Sequence, residues 1–415
     1  MKTTLKWHVA IGGFLVYMFD AVEISILAIS LPSIRQSTGI SLFQGGLLAT
    51  VSWLGIAVSG LAMGIIADTY GRRRALLISL LVFGAATAAF ALAGGSYEMM
   101  LALRFVGGLG LGGVWAILAA YVAETWPAQS RSRVTLGVLS SYPVGAALAA
   151  AVGGFFLPDW QSVFLWCGVA VVVPLLYVFF LIPESPEWQE SVGRRRSGAD
   201  RSGKPPSAPV KEIFKGDLLR QTIFGTLAAS FALFAYIALL TWLPSYLSSD
   251  RGLTLEQTSR YIVLFNVGIF ASYFIFGVVA DKVGERTALI VSLTGVATML
   301  VVYSLATNAV VLLWLSPIMG LFIVFSGLLG SYFSRIYPVH IRTTGAGFCF
   351  NVGRGVAAFS PLLTAGIATG YGFSTMLVVC AAIFGLAVAA VLCLPRRTGR
   401  DRPATADLSA EGAQA

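Results

Sequence analysis

The sequence predicts an all-α polytopic membrane protein, with twelve transmembrane helices arranged as two six-helix halves. Three observations carry that expectation: a scarcity of charge, a regular succession of apolar runs, and a repeat between the two parts of the chain. Only 11% of the 415 residues are charged, against about 25% in an average soluble protein. Apolar residues make up 57%, with 45 Gly besides, and the mean hydropathy is +0.82. The length would suit two or three soluble domains, but so few charges cannot cover a soluble surface.

A helix needs about 20 mainly apolar residues to cross the hydrocarbon core. Span 1 is expected at 8–31; it carries Asp20 and Glu23 and is too long for a signal-peptide core. Span 2 (45–66) holds Trp53 and runs into the loop GIIADTYGRRR, ahead of span 3 (76–95). Span 4 (98–121) holds Arg104, a glycine run and Trp115, and ends in AETWPAQSR. Span 5 (134–157) holds Tyr142, and span 6 (162–182) ends at PESPEW. The second set falls at 220–247 with Tyr236, 258–280 with Asn266 and Phe270, and 288–306. It continues at 310–334, 343–370 with GFCFNVGRG, and 373–394. The expected division is therefore a first half over 1–182, a central loop over 183–219, a second half over 220–394 and a disordered tail over 395–415. The central loop holds Arg194-Arg195-Arg196 and Lys204-Pro205-Pro206 among Ser and Gly, as a solvated linker does.

Basic residues set the orientation. Of the 28 Lys and Arg, 23 fall on the side of the termini and the central loop. Arg35, Arg251 and Arg260 fall on the other side, and Arg104 and Arg354 lie within spans. The positive-inside rule places both termini in the cytoplasm, so the +9 net charge reads as topology and not as a nucleic-acid surface. His8, His340 and the four cysteines show no metal-ligand spacing, and buried spectator thiols are the plain expectation.

Sliding the chain by 213 residues aligns 41–80 with 254–293, with 14 identities in 40 positions. The core is Gly64-x-x-Ala67-Asp68-x-x-Gly71-x-Arg73, repeated as Gly277-x-x-Ala280-Asp281-x-x-Gly284-x-Arg286. Apolar composition alone supplies Leu and Ala matches, but not registered Gly, Asp and Arg. Two halves in the same orientation follow, a parallel repeat suited to rocking about a central site. The stretch PVHIR (338–342) echoes PAQSR (127–131) at offset 211. Gly64 is expected to permit close helix contact. Asp68, Arg72, Arg73, Asp281 and Arg286 are expected to latch one conformation, with Glu124 and Arg131 forming a conformation-dependent salt bridge.

Ionisable groups at membrane depth are costly, so each is a functional hypothesis. Asp20 and Glu23 are three apart and share a helix face with Tyr17 and Leu27; Glu23 is expected nearer the cavity edge and partly wet. Arg104 and Trp115, three turns apart, are expected on one face of span 4. An arginine that moves relative to the acids makes proton affinity depend on conformation, the minimal chemistry of a proton-coupled carrier. A fixed clamp between spans 1 and 4 is the structural alternative. Arg354 suits a bidentate carboxylate ligand, with Asn351 one turn before it. Trp53, Asn266, Trp115, Tyr142, Tyr236 and Phe270 are candidates for the cavity lining. Gly107, Gly108, Gly110, Gly112 and Gly113 fall inside a span with no preceding strand, so they read as helix packing and not as a nucleotide loop.

The two loop motifs resemble those of the major facilitator superfamily, and the resemblance covers essentially the whole chain. GGVWAILAAYVAETWPAQSR, GFCFNVGRG and PESPEW are similar to the sialate:proton symporter group, which includes lactate and pyruvate permeases. FDAVE resembles the paired acids of the aromatic-acid:proton symporters, with Ala21 in place of a glycine and Glu23 in place of a second Asp. Val114 stands where many lactate-type members carry Glu. The resemblance implies a secondary-active symporter that imports a small organic carboxylate by alternating access, in the bacterial inner membrane. Lactate or pyruvate is the first expectation, and an aromatic acid or nicotinate the alternative. Asp20 or Glu23 would carry the proton, Arg104 would switch, and Arg354 with Asn351 would hold the substrate. No cofactor is expected beyond the proton gradient, and the partners are the organic anion, protons and lipid, with no nucleic acid, in a monomeric unit. Rival readings are a proton-driven exporter of drugs or anionic compounds, a sugar porter, and a membrane sensor that binds without flux. No hydrolase constellation suggests an enzyme.

Overall fold

The computed structural model describes residues 2–186, 188–190, 212–338 and 341–395. His340, most of the central segment and the chain beyond Pro395 lie outside them. Among the described residues, spans 1 to 6 are Lys6–Thr38, Leu42–Tyr70, Arg72–Phe90, Tyr97–Thr125, Val134–Phe156 and Trp160–Leu181. Spans 7 to 10 are Leu218–Asp250, Leu255–Val283, Glu285–Leu305 and Ala309–Phe333. One further apolar run, Thr344–Leu392, covers 49 residues. As a single helix it would reach about 70 Å, more than twice the ~30 Å hydrocarbon thickness. Gly372, at φ 82° and ψ 162°, breaks it, giving spans 11 and 12. The order is twelve helices in two sets of six, with no strand among the described residues.

The repeat extends to fine structure. Ser41 and Gln44 form a capping box at the start of span 2, and Thr254 and Gln257 form the same box at the start of span 8, 213 residues on. Each box satisfies backbone N–H groups that a helix start leaves open. Span 4 is interrupted where the segment Tyr97–Leu111 ends and Val114–Thr125 begins. Its glycines bring spans 2 and 4 into backbone contact: a Cβ on Gly108 would lie 2.3 Å from the Ser52 carbonyl oxygen, and one on Gly112 2.0 Å from that of Ile56. Spans 8 and 10 meet in the same way at Gly268 and Gly320. Packing is thus the use of this glycine run. A Cβ on Gly64, by contrast, would have no neighbour within 4 Å, so the close contact expected there does not exist in this conformation.

The two halves meet at the end opposite the basic loops. Gly46 of span 2 lies against Pro361 and Ala365 of span 11, and the Leu362 amide donates to the Thr50 hydroxyl at 3.3 Å. Gly154 of span 5 lies against Ser259 of span 8, and span 1 packs on span 7. At the basic end, the segments Val114–Thr125 and Ala128–Leu139 of the first half have no extensive contact with Phe325–Ile336 and Arg342–Ala357 of the second. The molecule is closed at one end and parted at the other.

Candidate functional site

The four intramembrane charges separate into two unlike pairs. Arg104 donates to Glu23 Oε1 at 2.8 Å, and both side chains are 3% exposed. The Thr87 hydroxyl donates to the other Glu23 oxygen. The Arg104 guanidinium lies over the rings of Phe90 and Phe164, at 4.8 and 5.1 Å from their centroids. Spans 1, 3, 4 and 6 supply all of these groups, so the cluster belongs wholly to the first half. Glu23 is buried in this ion pair and at the same time lies at the edge of the cavity described below, as its sequence position suggests. The arginine of span 4 pairs with Glu23 and not with Asp20.

Asp20, one turn away on span 1, is buried, and its Oδ1 has no hydrogen-bond partner. Its electrostatic neighbours are Arg354 of span 11 and Glu23. Arg354 is half-buried, lies 5.3 Å over the Phe350 ring, and has no carboxylate within ion-pairing distance among the described residues. This second pair spans the two halves and is open. Asn351, one turn before Arg354, is exposed.

Aromatic hydroxyls surround the open pair. Tyr17 stacks at a tilt on Trp115 at 5.7 Å and on Tyr142 at 5.5 Å. Tyr17 lies within electrostatic reach of Asp20, Arg354, Tyr236 and Tyr273, and Tyr142 within reach of Asp20 and the same tyrosines. Tyr236 also meets Phe325 edge-on at 5.5 Å. Sequence reasoning put Trp115, Tyr142 and Tyr236 among the cavity candidates and placed Tyr17 on the helix face of Asp20 and Glu23, but left out Tyr273, which nothing in the sequence marks. Trp115 and Arg104 meet different partners, Trp115 the Tyr17 ring and Arg104 the rings of Phe90 and Phe164.

A cavity lies on the closed-end side of Asp20; Asp20, Arg354 and Asn351 are not among the residues that line it, and neither are Trp115, Tyr142 and Tyr236. Glu23 and Arg104 border it, and Ser52, Trp53, Thr241 and Asn266 supply further polar atoms on a mainly apolar wall. Trp53 and Asn266, equivalent in the repeat, both line it; the Asn266 amide donates to the Ile262 carbonyl at 2.8 Å. Phe270 does not line it: its ring packs on Phe274 at 5.3 Å.

The basic end holds a second charge pattern. Arg72 pairs with Asp68 at 2.7 Å and with Glu124 at 3.0 Å. Glu124 thus pairs with Arg72 and not Arg131, whose Nε donates to the Trp126 carbonyl at 2.8 Å. Asp68 is 71% exposed; its carboxylate pairs within its own half and does not cross the interface. In the second half, Glu285 occupies the place of Arg72 and pairs with Arg335 at 2.8 Å. The same bridge is thus built with its signs exchanged. Arg73 donates to the carbonyls of Val178 and Phe179, and Arg286 to those of Val391 and Leu392, each contact 213 residues from its counterpart. Asp281 is exposed and forms no ion pair among the described residues.

Comparison with known proteins agrees with this architecture. The chain is 29% identical over 379 residues to the cis,cis-muconate transport protein of Acinetobacter baylyi, covering 89% of this chain and 91% of that one. It is 29% identical over 395 residues to the 3-(3-hydroxy-phenyl)propionate transporter of Escherichia coli, covering 94% of each. The crystal structure of a D-xylose-proton symporter superposes with a TM-score of 0.75 at 17% identity, covering 94% of this chain and 96% of that one, a likeness of fold. The profile of the Major Facilitator Superfamily matches residues 10–350, and the chain belongs to that superfamily of membrane transporters.

Proposed function

We propose that the protein is a proton-coupled symporter that imports a small organic carboxylate across the bacterial inner membrane by alternating access. The observation that carries this reading is the open pair: Asp20 of one half, buried with its Oδ1 unpartnered, and Arg354 of the other, half-buried and without an ion pair among the described residues. The excess of Lys and Arg assigns the basic end to the cytoplasm, so the arrangement described above is inward-facing. With Asp20 protonated, Arg354 is free to take a carboxylate, and a guanidinium does so bidentately. Asn351, on the same side of span 11, is assigned as a further hydrogen-bond donor. Rocking of the halves then exposes the site to the cytoplasm. Loss of the proton from Asp20 restores an anion opposite Arg354, which competes with the substrate and releases it.

The tyrosines and Trp115 favour a flat, unsaturated body over lactate or pyruvate, because ring faces pack best on ring faces. The names of the two relatives, a muconate and a hydroxyphenylpropionate carrier, support that choice. Glu23 and Arg104, held inside one half, act as a fixed anchor for span 1, and the intra-half bridges at Arg72 and Glu285 keep each basic end rigid as it moves. No cofactor is needed, since the proton gradient supplies the energy, and each monomer carries a complete site.

The test is uptake of benzoate and nicotinate into proteoliposomes under an inward proton gradient. Accumulation is expected in the wild type and in neither Arg354→Ala nor Asp20→Asn. Gradient-driven uptake that survives Asp20→Asn would remove Asp20 from the coupling step.

A further inference from the structure

We infer that the cavity on the closed-end side of Asp20 is a binding site for a small uncharged ring compound bearing an O–H donor, a phenol in class, and that its occupant holds the closed end shut. The cavity encloses about 780 Å³ of empty space, its mouth included, within the range of about 300–1,000 Å³ usual for small-molecule sites. Its walls come from both halves. Leu27 of span 1, Trp53 of span 2 and Ala146 of span 5 stand on one side, and Leu243 of span 7 and Phe265 of span 8 on the other.

The chemistry of the occupant follows from which polar atoms of the lining are already committed. The Ser52 hydroxyl donates to the Leu48 carbonyl at 3.0 Å, and the Thr241 hydroxyl to the Ile237 carbonyl at 2.8 Å. Each therefore offers a ligand only an acceptor oxygen. Asn266, 4% exposed, gives one N–H to the Ile262 carbonyl, and its Oδ1 accepts no hydrogen bond among the described residues. Three unused acceptors on three helices call for a donor. Glu23 and Arg104, at the border, pair at 2.8 Å, so the lining is neutral as a whole and mainly apolar. Arg104 Nε is unclaimed too, but it is fully buried and out of a ligand's reach. A carboxylate would bring a net charge and further acceptors into this lining, which is costly. A ring without a donor would leave the acceptors unmet. A ring with an O–H meets both demands, and Trp53 and Phe265 give it aromatic surface to pack on. Because the walls belong to both halves, the site is complete only while they are together at the closed end. A ligand that binds one arrangement alone shifts the population towards it.

The test uses the full chain in detergent, with the native cysteines replaced and either Ile262→Cys or Asn351→Cys as a reporter for an impermeant maleimide. The probes are p-cresol, toluene as its donorless counterpart, and 4-methylbenzoate as its charged one. At about ten times its half-saturating concentration, p-cresol is expected to slow labelling of Ile262→Cys about tenfold, since only the empty protein opens. Labelling of Asn351→Cys is expected not to slow. Toluene is expected to bind about fivefold more weakly than p-cresol, and 4-methylbenzoate more weakly still. Thr241→Val and Asn266→Leu are each expected to reduce the advantage of p-cresol over toluene, and Ser52→Ala serves in place of either if it does not fold. Equal protection by p-cresol and toluene, equal protection by 4-methylbenzoate, an advantage unchanged in the variants, or slowing at Asn351→Cys as well overturns the inference. No transport is measured, so each of those results leaves the symport reading standing.

Discussion

Arg104 is the side chain with most at stake in the membrane interior. It is 3% exposed, as is its partner Glu23, and the rings of Phe90 and Phe164 pack together against one side of its guanidinium. Removing one member of a buried pair leaves an unpaired charge and costs about 3–5 kcal/mol. Arg104→Met is therefore expected to lower unfolding stability in detergent by that amount, and Arg104→Met with Glu23→Gln to recover more than half of it. Asp20→Asn, at a carboxyl oxygen with no partner, is expected to change stability by less than about 1 kcal/mol, whatever it does to transport. Thermal or denaturant unfolding of the purified variants reads all three. The sequence exposed both acids and both arginines, because charge in an apolar run is conspicuous. It did not show which acid meets which arginine. Residues three apart differ by about 60° around the helix, and only the tilt of span 1 against spans 4 and 11 decides between them.

The hinge between spans 2 and 3 shows how an element is fixed by a distant one. Gly71 adopts φ 105° and ψ 157°, a region open in practice to glycine alone and worth about 1–3 kcal/mol of strain to other residues. Glu184, beyond the end of span 6, accepts from the Arg73 amide at 3.1 Å and from the Ser185 amide at 3.0 Å. Its carboxylate thereby sits at the positive N-terminus of span 3. A Cβ on Gly71 would fall 2.2 Å from Glu184 Oε2. Gly284, the counterpart in the second half, has φ 84° and no atom within 4 Å of such a Cβ. Gly71→Ala is thus expected to destabilise more than Gly284→Ala, since the first adds loss of the Glu184 cap to strain that both share. Comparing the unfolding midpoints of the two variants checks this; equal losses would mean that the cap contributes nothing. The glycines themselves were legible in the repeat. The bridges were less so, because Glu124 and Arg131 are neighbours in sequence while the chain turns at Trp126 and Pro127. That turn sends Arg131 to cap a carbonyl and leaves Glu124 to Arg72.

At the scale of the whole molecule, the count and order of helices were legible because each span must be apolar for its full length, whereas the conformation was not. Both the closed and the parted arrangements of the halves are written in one sequence, and which contacts form is a matter of a few kcal/mol between states. The closed end rests on small residues at the interface between halves. A Cβ on Gly46 would lie 2.8 Å from the Pro361 carbonyl oxygen and 3.0 Å from the Ala365 Cβ. Gly46→Leu therefore acts as a wedge that penalises only the state in which this end is shut. A differential cost of about 1–3 kcal/mol shifts the population by roughly 5–150-fold. Reporters belong on the two sides of the centre, in a background with the native cysteines replaced. Ile262→Cys, in the cavity behind the closed end, is expected to react with an impermeant maleimide at least tenfold faster when Gly46→Leu is present. Asn351→Cys, exposed towards the basic end, is expected to react more slowly. Opposite changes at the two reporters are the signature of halves rocking as rigid bodies. Local loosening or partial unfolding would accelerate both, and a rise at Asn351→Cys would defeat the rocking account.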